Sequence, residues 1–418
     1  MASIECGREA AKHFALARGY RNLNHGSYGT YPTAVRDVFR HYQEKIEARP
    51  DAFTRYEYRE GLLDKSRAAI AQYVNAPVET CVLVPNTSYG IDSVLRNLTY
   101  SPNDYILSFN TIYGAFANTL QYLSETTPVK VHEINYTLPL EDELLCNAFE
   151  DAVKALTSYG KKPRIAVFDT INSLPGVRMP FEQLIKICKA HGVLSAVDGA
   201  HGVGMIPLDL TALDPDFFAS NCHKWLYTPR GSALLYVPGR NQHLLRATFP
   251  TSFALGSSFA ANFASMGTLD DNPYLCIPAA LDWRKRITWE GKSGEEAIVG
   301  YMSSLARRGG NAVAELLGTE ALENSERTLG DCSMTNIRLP LNFVALTGDD
   351  TDLAETIGQW MMRTMILECE TAVNIMVYAN AWWVRLSSQI YLTMDDFEHA
   401  GQLLQQVCSR AEEGEWKH

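Results

Sequence analysis

The chain has 418 residues, of which 46% are hydrophobic and 20% are charged, so it holds enough apolar material for more than one packed domain. Its formal net charge of −11 at pH 7 argues against nucleic acid or an anionic membrane as the main partner, because both require basic surfaces. No stretch approaches the roughly 20 consecutive apolar residues that a transmembrane helix needs.

The N-terminus and the cysteines together predict a cytoplasmic protein. Glu5, Arg8 and Glu9 lie where a signal peptide would have its apolar core. The nine cysteines are scattered and form no CxxC pair, which is typical of reduced thiols rather than of a disulfide framework or a zinc site. We therefore expect a cytoplasmic location and no metal site.

The first elements along the chain are a turn-rich start and a long amphipathic helix around residues 58–74. From about residue 78 to residue 240, short apolar runs alternate with longer amphipathic segments. Seven of these runs have the length and composition of strands, namely residues 80–85, 104–109, 129–134, 164–170, 192–199, 216–221 and 232–237. This alternation predicts a mostly parallel sheet covered on both faces, with ligands at the carboxyl ends of the strands.

The C-terminal part has a different pattern, which predicts a smaller α+β domain. Residues 295–318 and 354–370 are helix-like, and residues 342–348, 373–380 and 381–391 are strand-like. We divide the chain into three parts. Residues 1–57 are an N-terminal segment that joins the small domain and the active-site entrance, residues 58–275 are the large domain, and residues 276–418 are the small domain.

Two candidate site features lie at the ends of predicted strands. The segment PNTSYG, residues 85–90, follows a strand and opens a helix, so Thr87 and Ser88 could hold a phosphate at the helix N-terminus. Such residues are more often simple helix caps. Asp198 ends an almost entirely apolar strand and needs a partner if it is buried, although it could instead cap the next loop.

A lysine and an arginine complete the set. Lys224 lies 26 residues after Asp198, between His223 and Trp225. An amine held among such groups has a lowered pKa and attacks carbonyls, whereas a solvated lysine is the ordinary alternative. Arg385, in WWVRLSSQIY, has the planar fork that binds a carboxylate at two points, or else it forms a structural ion pair.

Together these four features predict chemistry that depends on pyridoxal 5′-phosphate. In that chemistry the lysine forms an imine, the acid keeps the pyridine nitrogen protonated, and the arginine binds the carboxylate of an amino-acid substrate. No one of the features is specific by itself. Their joint occurrence at the expected edge of the sheet is what makes the prediction.

Seven motifs follow one another along nearly the whole chain: LNHGSYGTYP, VPNTSYGID, FDTINSLPGVRMPFEQL, VDGAHGVG, NCHKWLYTPRGSALLYV, GTLDDNPYLCIPAALDW and RLSSQIY. On these motifs the chain resembles class V of the fold-type I pyridoxal-phosphate enzymes, the group of cysteine desulfurases and isopenicillin N epimerase-like proteins. The resemblance implies an α/β fold with a mostly parallel seven-stranded sheet and a smaller α+β domain. It also implies a homodimer with shared active sites.

Carried over residue by residue, the resemblance makes Lys224 the Schiff-base lysine and Asp198 the partner of the pyridinium nitrogen. It places His201 near the cofactor's phenolic oxygen. The residues that it brings to the phosphate are Thr87, Ser88, Asn221 and His223.

The remaining positions follow from the same resemblance. Tyr113 would stack on the pyridine ring, Asn172 would face the ring, and Thr268 would reach the phosphate of the neighbouring subunit. Arg385 would bind the substrate carboxylate. Asn24 and His25 would line the substrate entrance.

Within class V, the first and third motifs are most similar to the fungal branch of hercynylcysteine sulfoxide lyases and loline-type enzymes of secondary metabolism. The resemblance therefore predicts a carbon–sulfur β-lyase that acts on an amino acid through an external aldimine and a quinonoid. Three alternatives stay open. They are a cyclase or alkylating enzyme that uses an O-acylated homoserine, an epimerase or aminotransferase, and a catalytically silent scaffold.

Two further expectations concern cysteines and specificity. A persulfide-forming desulfurase is disfavoured, because the segments around Cys276 and Cys332 lack the small, flexible composition of a mobile cysteine loop, and Cys222 is expected to pack. The side chains that select the substrate are expected in the N-terminal loops. The candidates are Tyr28, Arg55, Tyr56 and Tyr58.

Overall fold

The centre of the computed structural model, which describes residues 2–247, 251 and 258–418, is a seven-stranded sheet. Its strands are the seven predicted from the sequence. Their order across the sheet is Cys81–Val84, Ala233–Tyr236, Phe217–Asn221, Leu194–Asp198, Lys162–Asp169, Asp104–Phe109 and Lys130–Ile134. Ala233–Tyr236 is antiparallel to both of its neighbours, and all other pairs are parallel. The prediction of a mostly parallel α/β sheet is confirmed.

The strands of this sheet are rich in apolar residues because most of them are buried. Phe217–Asn221 and Ala233–Tyr236 are buried along their whole length, because helices cover both faces of the sheet. The edge strand Lys130–Ile134 keeps two exposed residues. Five longer helices pack against the sheet: Leu63–Tyr73, Thr87–Asn97, Gly114–Thr126, Asp142–Ser158 and Phe181–Ala190.

Shorter helices occupy the connections of the central region. The α-helical ones are Leu210–Leu213, Cys222–Trp225, Phe259–Phe263, Asn272–Leu275 and Ile277–Arg284, and Val78–Thr80 and Gly239–Leu244 are 3₁₀-helical. The predicted helix over residues 58–74 is shorter than expected. Phe53–Leu62 winds as wide π-helical turns with non-helical backbone at Gly61, and regular helix begins only at Leu63.

The C-terminal part is built on a three-stranded antiparallel sheet with the order Met334–Arg338, Ala381–Ser387 and Asn374–Tyr378. Its helices are Glu295–Leu317, Phe343–Thr347, Thr351–Leu367, Met394–Glu412 and the 3₁₀ turn Glu415–Lys417. The strand predicted at residues 342–348 is wrong. Asn342 accepts a hydrogen bond from the Ala345 N–H and thereby caps a short helix, which ends at Gly348 with left-handed backbone.

The N-terminal segment pairs with distant parts of the chain. Ile4–Glu5 runs parallel to Ile287–Trp289, which also pairs with Lys292–Ser293, and Arg21–Asn22 runs parallel to Thr371–Ala372. Its helices are Arg8–Ala11, His25–Tyr28, Thr33–Ala48 and Pro50–Ala52. Among the residues described, no helix combines the length and apolar character needed to cross a bilayer.

Candidate active site

A cavity of about 170 Å³ lies at the carboxyl ends of the parallel strands Lys162–Asp169, Leu194–Asp198 and Phe217–Asn221. Predicted site residues form much of its lining: Thr87, Ser88, Tyr113, Asp198, His201, Asn221, His223 and Lys224. Ligands of open α/β sheets bind at this edge, because the connecting loops diverge there and leave a crevice. The structure thus brings most of the predicted residues into one place.

Lys224 lies in the short helix Cys222–Trp225, directly after a central strand. Removal of its amine from bulk water lowers the pKa of Lys224 to about 8, and the positive charge of Arg385 acts in the same direction. The hydrogen-bonded carboxyl pair of Asp198 and Asp169 opposes this shift in pKa. Because only an uncharged amine attacks a carbonyl or accepts a proton, the site favours a reactive Lys224.

Two buried side chains from distant segments hold the backbone of this short helix. His25 donates from Nε2 to the carbonyl oxygen of Lys224 at 2.7 Å, and its Nδ1 accepts from the Tyr391 hydroxyl at 3.0 Å. Arg284 donates to the carbonyl oxygen of Trp225 at 2.6 Å. His25 is predicted to line the substrate entrance; in the structure its side chain is fully buried and both ring nitrogens are hydrogen-bonded.

Asp198 has a carboxyl neighbour that the sequence reasoning missed. It ends its strand in register with Asp169 on the adjacent strand, and the two buried side chains are hydrogen-bonded to each other. Burial and the charge of Asp198 raise the pKa of Asp169 well above its ordinary value. Asp169 is therefore the protonated donor of this pair, and Asp198 is the acceptor, which also accepts from the Ala200 N–H at 2.8 Å.

His201 contacts the reactive lysine directly. Its Nε2 is 3.2 Å from Nζ of Lys224, and its Nδ1 accepts from the indole N–H of Trp225 at 3.1 Å. Burial, followed by the charge of Lys224, lowers the pKa of His201 well below its ordinary value. The imidazole is therefore uncharged, and its Nε2 is hydrogen-bonded to Nζ of Lys224.

The helix that begins at Thr87 presents its N-terminus to the cavity. Asn86 caps it by accepting from the Tyr89 N–H at 2.8 Å, and Asn221 accepts from the Thr87 N–H at 3.0 Å. The hydroxyl of Thr87 is buried and has no hydrogen-bond partner among the described residues. An unpaired hydroxyl at a helix N-terminus is suited to an anion such as a phosphate, and Ser88 adds a second hydroxyl there.

His223 lines the cavity with one ring nitrogen already committed. Its Nδ1 donates to the carbonyl oxygen of Ser232 at 3.1 Å, so in the neutral ring Nε2 is a bare acceptor. Burial lowers the pKa of His223 to about 4, which keeps the ring neutral. A contact between Nε2 and a phosphate oxygen therefore requires a proton on one of the two partners.

Tyr113 and Asn172 differ in how well they fit their predicted roles. Tyr113 precedes helix Gly114–Thr126 and is 46% exposed beside the cavity, so its ring is available for stacking. Asn172 is fully buried and is not part of the cavity lining. Its amide nitrogen donates to the hydroxyls of Thr111 and Tyr136, at 3.0 and 3.1 Å, and its buried Oδ1 has no hydrogen-bond partner among the described residues.

Arg385 is buried beside the cavity and holds three neutral acceptors. It donates to the Ser173 carbonyl oxygen at 2.6 Å, to Asn24 Oδ1 at 2.7 Å and to the Ser27 hydroxyl at 2.9 Å. Ser27 and Ser173 line the cavity, so the guanidinium lies directly behind lining residues. Its Nε has no partner in the part of the chain that the structure describes. Asn24 therefore contacts Arg385 and is not itself part of the lining.

Thr268 is exposed and lies in a different cavity of about 360 Å³, together with Arg55 and Tyr58. It does not belong to the lining of the first cavity. Tyr28 and Tyr56 are 74% and 59% exposed. Thr268, Tyr28 and Tyr56 are thus exposed, whereas Tyr58 is buried.

The first cavity fits pyridoxal 5′-phosphate. It offers an amine of lowered pKa for the aldehyde, a buried carboxylate with acceptor capacity for the ring N–H, and an unpaired hydroxyl at a helix N-terminus for the phosphate. Tyr113 would lie against the ring. The aldehyde, the ring nitrogen, the ring face and the phosphate of the cofactor therefore each have a chemically matched partner.

Known proteins with similar sequences align with nearly the whole chain. The family profile described as Aminotransferase class-V matches residues 29–274. An "L-cysteine desulfhydrase-like protein lolT1" from Epichloe uncinata is 36% identical, over 97% of this chain and 96% of that protein. A "Hercynylcysteine sulfoxide lyase" from Schizosaccharomyces pombe is 27% identical, over 96% of this chain and 98% of that protein.

Solved structures share the fold. A complex of "the cystine C-S lyase C-DES" with its reaction product cysteine persulfide superposes with a TM-score of 0.75 at 18% identity, covering 92% of this chain and 97% of that one. Similarity at this level of identity concerns the arrangement of the backbone.

Proposed function

The chain belongs to the aminotransferase class-V family, whose cofactor is pyridoxal 5′-phosphate, and we propose that it is a lyase that cleaves a carbon–sulfur bond of a cysteine derivative. The observation that carries the proposal is the full-length similarity to two fungal proteins that are both named for cleavage of cysteine-type carbon–sulfur bonds. The geometry of the cavity supplies the groups that such a reaction requires.

The cofactor, when bound, provides the electron sink that makes the Cα–H bond of an amino acid acidic. Lys224 is the base in this proposal, because its amine has a lowered pKa and lies at the centre of the cavity. It removes the α-proton, and the electron pair left on Cα then expels the sulfur substituent from Cβ. The resulting enamine hydrolyses to pyruvate and ammonia.

The neighbouring side chains prepare this proton transfer. Asp198, held by Ala200 and Asp169, would hold the ring nitrogen of the cofactor and favour its protonated form. His201 contacts Lys224 at 3.2 Å and keeps its amine in place. Arg385 binds the substrate carboxylate by exchanging its contacts with Asn24 and Ser27.

The state of the cysteines favours release of the sulfur over its capture by the enzyme. Cys222, Cys276 and Cys332 are buried, and burial raises the pKa of each thiol to about 12. A thiol in that environment is not a nucleophile at neutral pH. A desulfurase that stores sulfur on a cysteine is therefore a poorer proposal than a lyase.

We propose further that the enzyme is a cytoplasmic homodimer of secondary metabolism. The exposed position of Thr268, in a cavity separate from the one that contains Lys224, supports a role across a subunit interface. Light scattering on the purified protein should give twice the mass of one chain, and Thr268→Val should weaken cofactor binding without changing that mass. A monomer that binds the cofactor normally would contradict this part.

The lyase proposal is tested by incubating the holoenzyme with S-alkyl cysteines and their sulfoxides. We expect equal amounts of pyruvate and ammonia, together with the released sulfur compound. Lys224→Ala is the control, since it removes the base. Absence of pyruvate and ammonia above the level of this control, across both substrate classes, would contradict the proposal.

A further inference from the structure

Trp225 and Lys224 both bind the imidazole of His201, at its two different nitrogens. The indole N–H of Trp225 points to Nδ1 at 3.1 Å, and Nζ of Lys224 lies 3.2 Å from Nε2. His201 and Lys224 line the cavity, and both His201 and Trp225 are buried. A neutral imidazole ring carries only one N–H. The role of one ring nitrogen, as donor or acceptor, therefore fixes the role of the other.

An indole nitrogen can only donate a hydrogen bond. Nδ1 of His201 must therefore carry a lone pair, and the single ring proton of the neutral imidazole must be on Nε2. The Nε2–H then faces Nζ of Lys224. A lysine ammonium has no lone pair to accept this hydrogen bond, whereas the uncharged amine has one.

We propose that Trp225 fixes the tautomer of His201 and that His201, by donating from Nε2, stabilises the uncharged form of the Lys224 amine. Trp225 is thus a positioning residue that acts on the lysine through the histidine. The inference rests on the proposed function only in taking Lys224 as the reactive amine. The tautomer of His201 is a property of the folded chain itself.

The opposite arrangement is unfavourable on geometric grounds. A protonated Lys224 would donate to Nε2, which would move the ring proton to Nδ1 and place it against the indole N–H. Two donors would then face each other at 3.1 Å in a buried place, and one N–H would lose its only partner there. Protonation of Lys224 therefore costs a hydrogen bond that the uncharged amine retains.

Charged or titratable groups surround this trio on several sides. Arg385 disfavours positive charge on both Lys224 and His201, the neutral His25 ring packs against Trp225, and Arg284 donates to the Trp225 carbonyl oxygen. The hydrogen-bonded carboxyl pair of Asp169 and Asp198 acts in the opposite direction and favours the ammonium. The hydrogen bond from Trp225 to His201 favours the uncharged Lys224 amine, whereas the two carboxyl groups favour the ammonium. Removal of this hydrogen bond should therefore raise the pKa of Lys224 measurably.

The test compares Trp225→Phe with Trp382→Phe in the full-length chain freed of cofactor. Phenylalanine keeps the apolar ring and removes the N–H. Trp382 is an equally buried tryptophan whose N–H donates to the Ala354 carbonyl oxygen at 2.8 Å in the small domain, so it controls for loss of such a bond elsewhere. ¹⁵N spectra of labelled histidines report the tautomer of His201, assigned with a His201→Gln variant. The pH dependence of the rate of pyridoxal-phosphate capture reports the pKa of Lys224.

We expect the wild type and Trp382→Phe to show the proton of His201 on Nε2. Trp225→Phe should populate the Nδ1–H form of His201. The midpoint of the pH dependence of the capture rate should rise by about one pH unit, which corresponds to a roughly tenfold smaller fraction of uncharged Lys224 at a pH below the midpoint. A wild-type proton on Nδ1 overturns the proposal even if Trp225→Phe does not fold. So does a Trp225→Phe protein that matches Trp382→Phe in both measurements. Neither readout requires lyase turnover, so failure of the proposed function would be recognised separately.

Discussion

Asp169 and Asp198 end adjacent parallel strands in register, and their buried carboxyl groups share one proton. The Asp169 O–H supports the charge of Asp198, which the cofactor's ring nitrogen requires. A hydrogen bond to a charged group contributes about 1.5–3 kcal/mol.

Asp169→Asn should therefore retain near-normal affinity for pyridoxal 5′-phosphate, because the amide still donates to Asp198. Asp169→Leu has a similar shape and no donor, and it should bind the cofactor roughly 10- to 100-fold more weakly. Fluorescence titration of the cofactor-free protein measures both dissociation constants. Equal affinities of the two variants would argue that Asp169 acts through its volume alone.

Arg385→Lys should raise KM for the amino-acid substrate by roughly tenfold or more, because a lysine retains the charge and loses the planar fork. Cofactor affinity should stay the same, since Arg385 lies behind lining residues and contacts Asn24, Ser27 and Ser173. The matched control is Arg338→Lys, on the neighbouring strand, where an exposed pair with Glu320 is changed in the same way. If both variants show the same KM, the carboxylate is bound elsewhere.

Lys224→Met should change how stability depends on pH. The native pKa of Lys224 is about 8, below its ordinary value of 10.5, so the unfolded chain holds more protons than the folded one between these values. Burial of this amine therefore destabilises the cofactor-free fold below pH 8, and the penalty disappears as the pH rises towards 10.5. Denaturant titrations should find the variant more stable at pH 7, with a gap that narrows at higher pH. A gap that is constant or grows with pH would mean that the pKa is not lowered.

Gly29→Ala should displace the short helix that carries Lys224. The φ of Gly29 is 65°, and an added Cβ would lie 2.0 Å from the carbonyl oxygen of His223. Gly318 has the same φ of 65°, and a Cβ there meets nothing within 4 Å among the described atoms. Gly318→Ala should cost only the roughly 1–2 kcal/mol of left-handed backbone. Gly29→Ala should cost more and also reduce cofactor loading; equal effects on unfolding and loading would contradict a contact at Gly29.

The large sheet could be predicted from the sequence because each of its strands is short, apolar and bounded by turns, as Ala233–Tyr236 is. Sites at strand ends follow from the same pattern, and so Asp198 and Lys224 were found. Asp169 was missed, because only the pairing of its strand with Leu194–Asp198 brings the two carboxyl groups together. The motif FDTINS did indicate it, since Asp169 ends the strand Lys162–Asp169 just as Asp198 ends its own strand.

Contacts between distant segments were the least predictable. The family resemblance of its motif places His25 at the substrate entrance, whereas in the structure His25 packs beneath Lys224, 199 residues away in the chain. Similarly, Asn172 is expected at the ring, and in the structure its amide nitrogen donates to Thr111 and Tyr136. Local sequence gives the backbone at such positions, whereas tertiary packing decides which way each side chain points.

The most direct test of the central claim is borohydride reduction of the holoprotein followed by peptide mapping. Reduction fixes the cofactor to whichever amine binds it. We expect a single pyridoxyl label on Lys224, in the peptide that contains His223 and Trp225. A label on a different lysine, or no label in protein that has bound the cofactor, would contradict it.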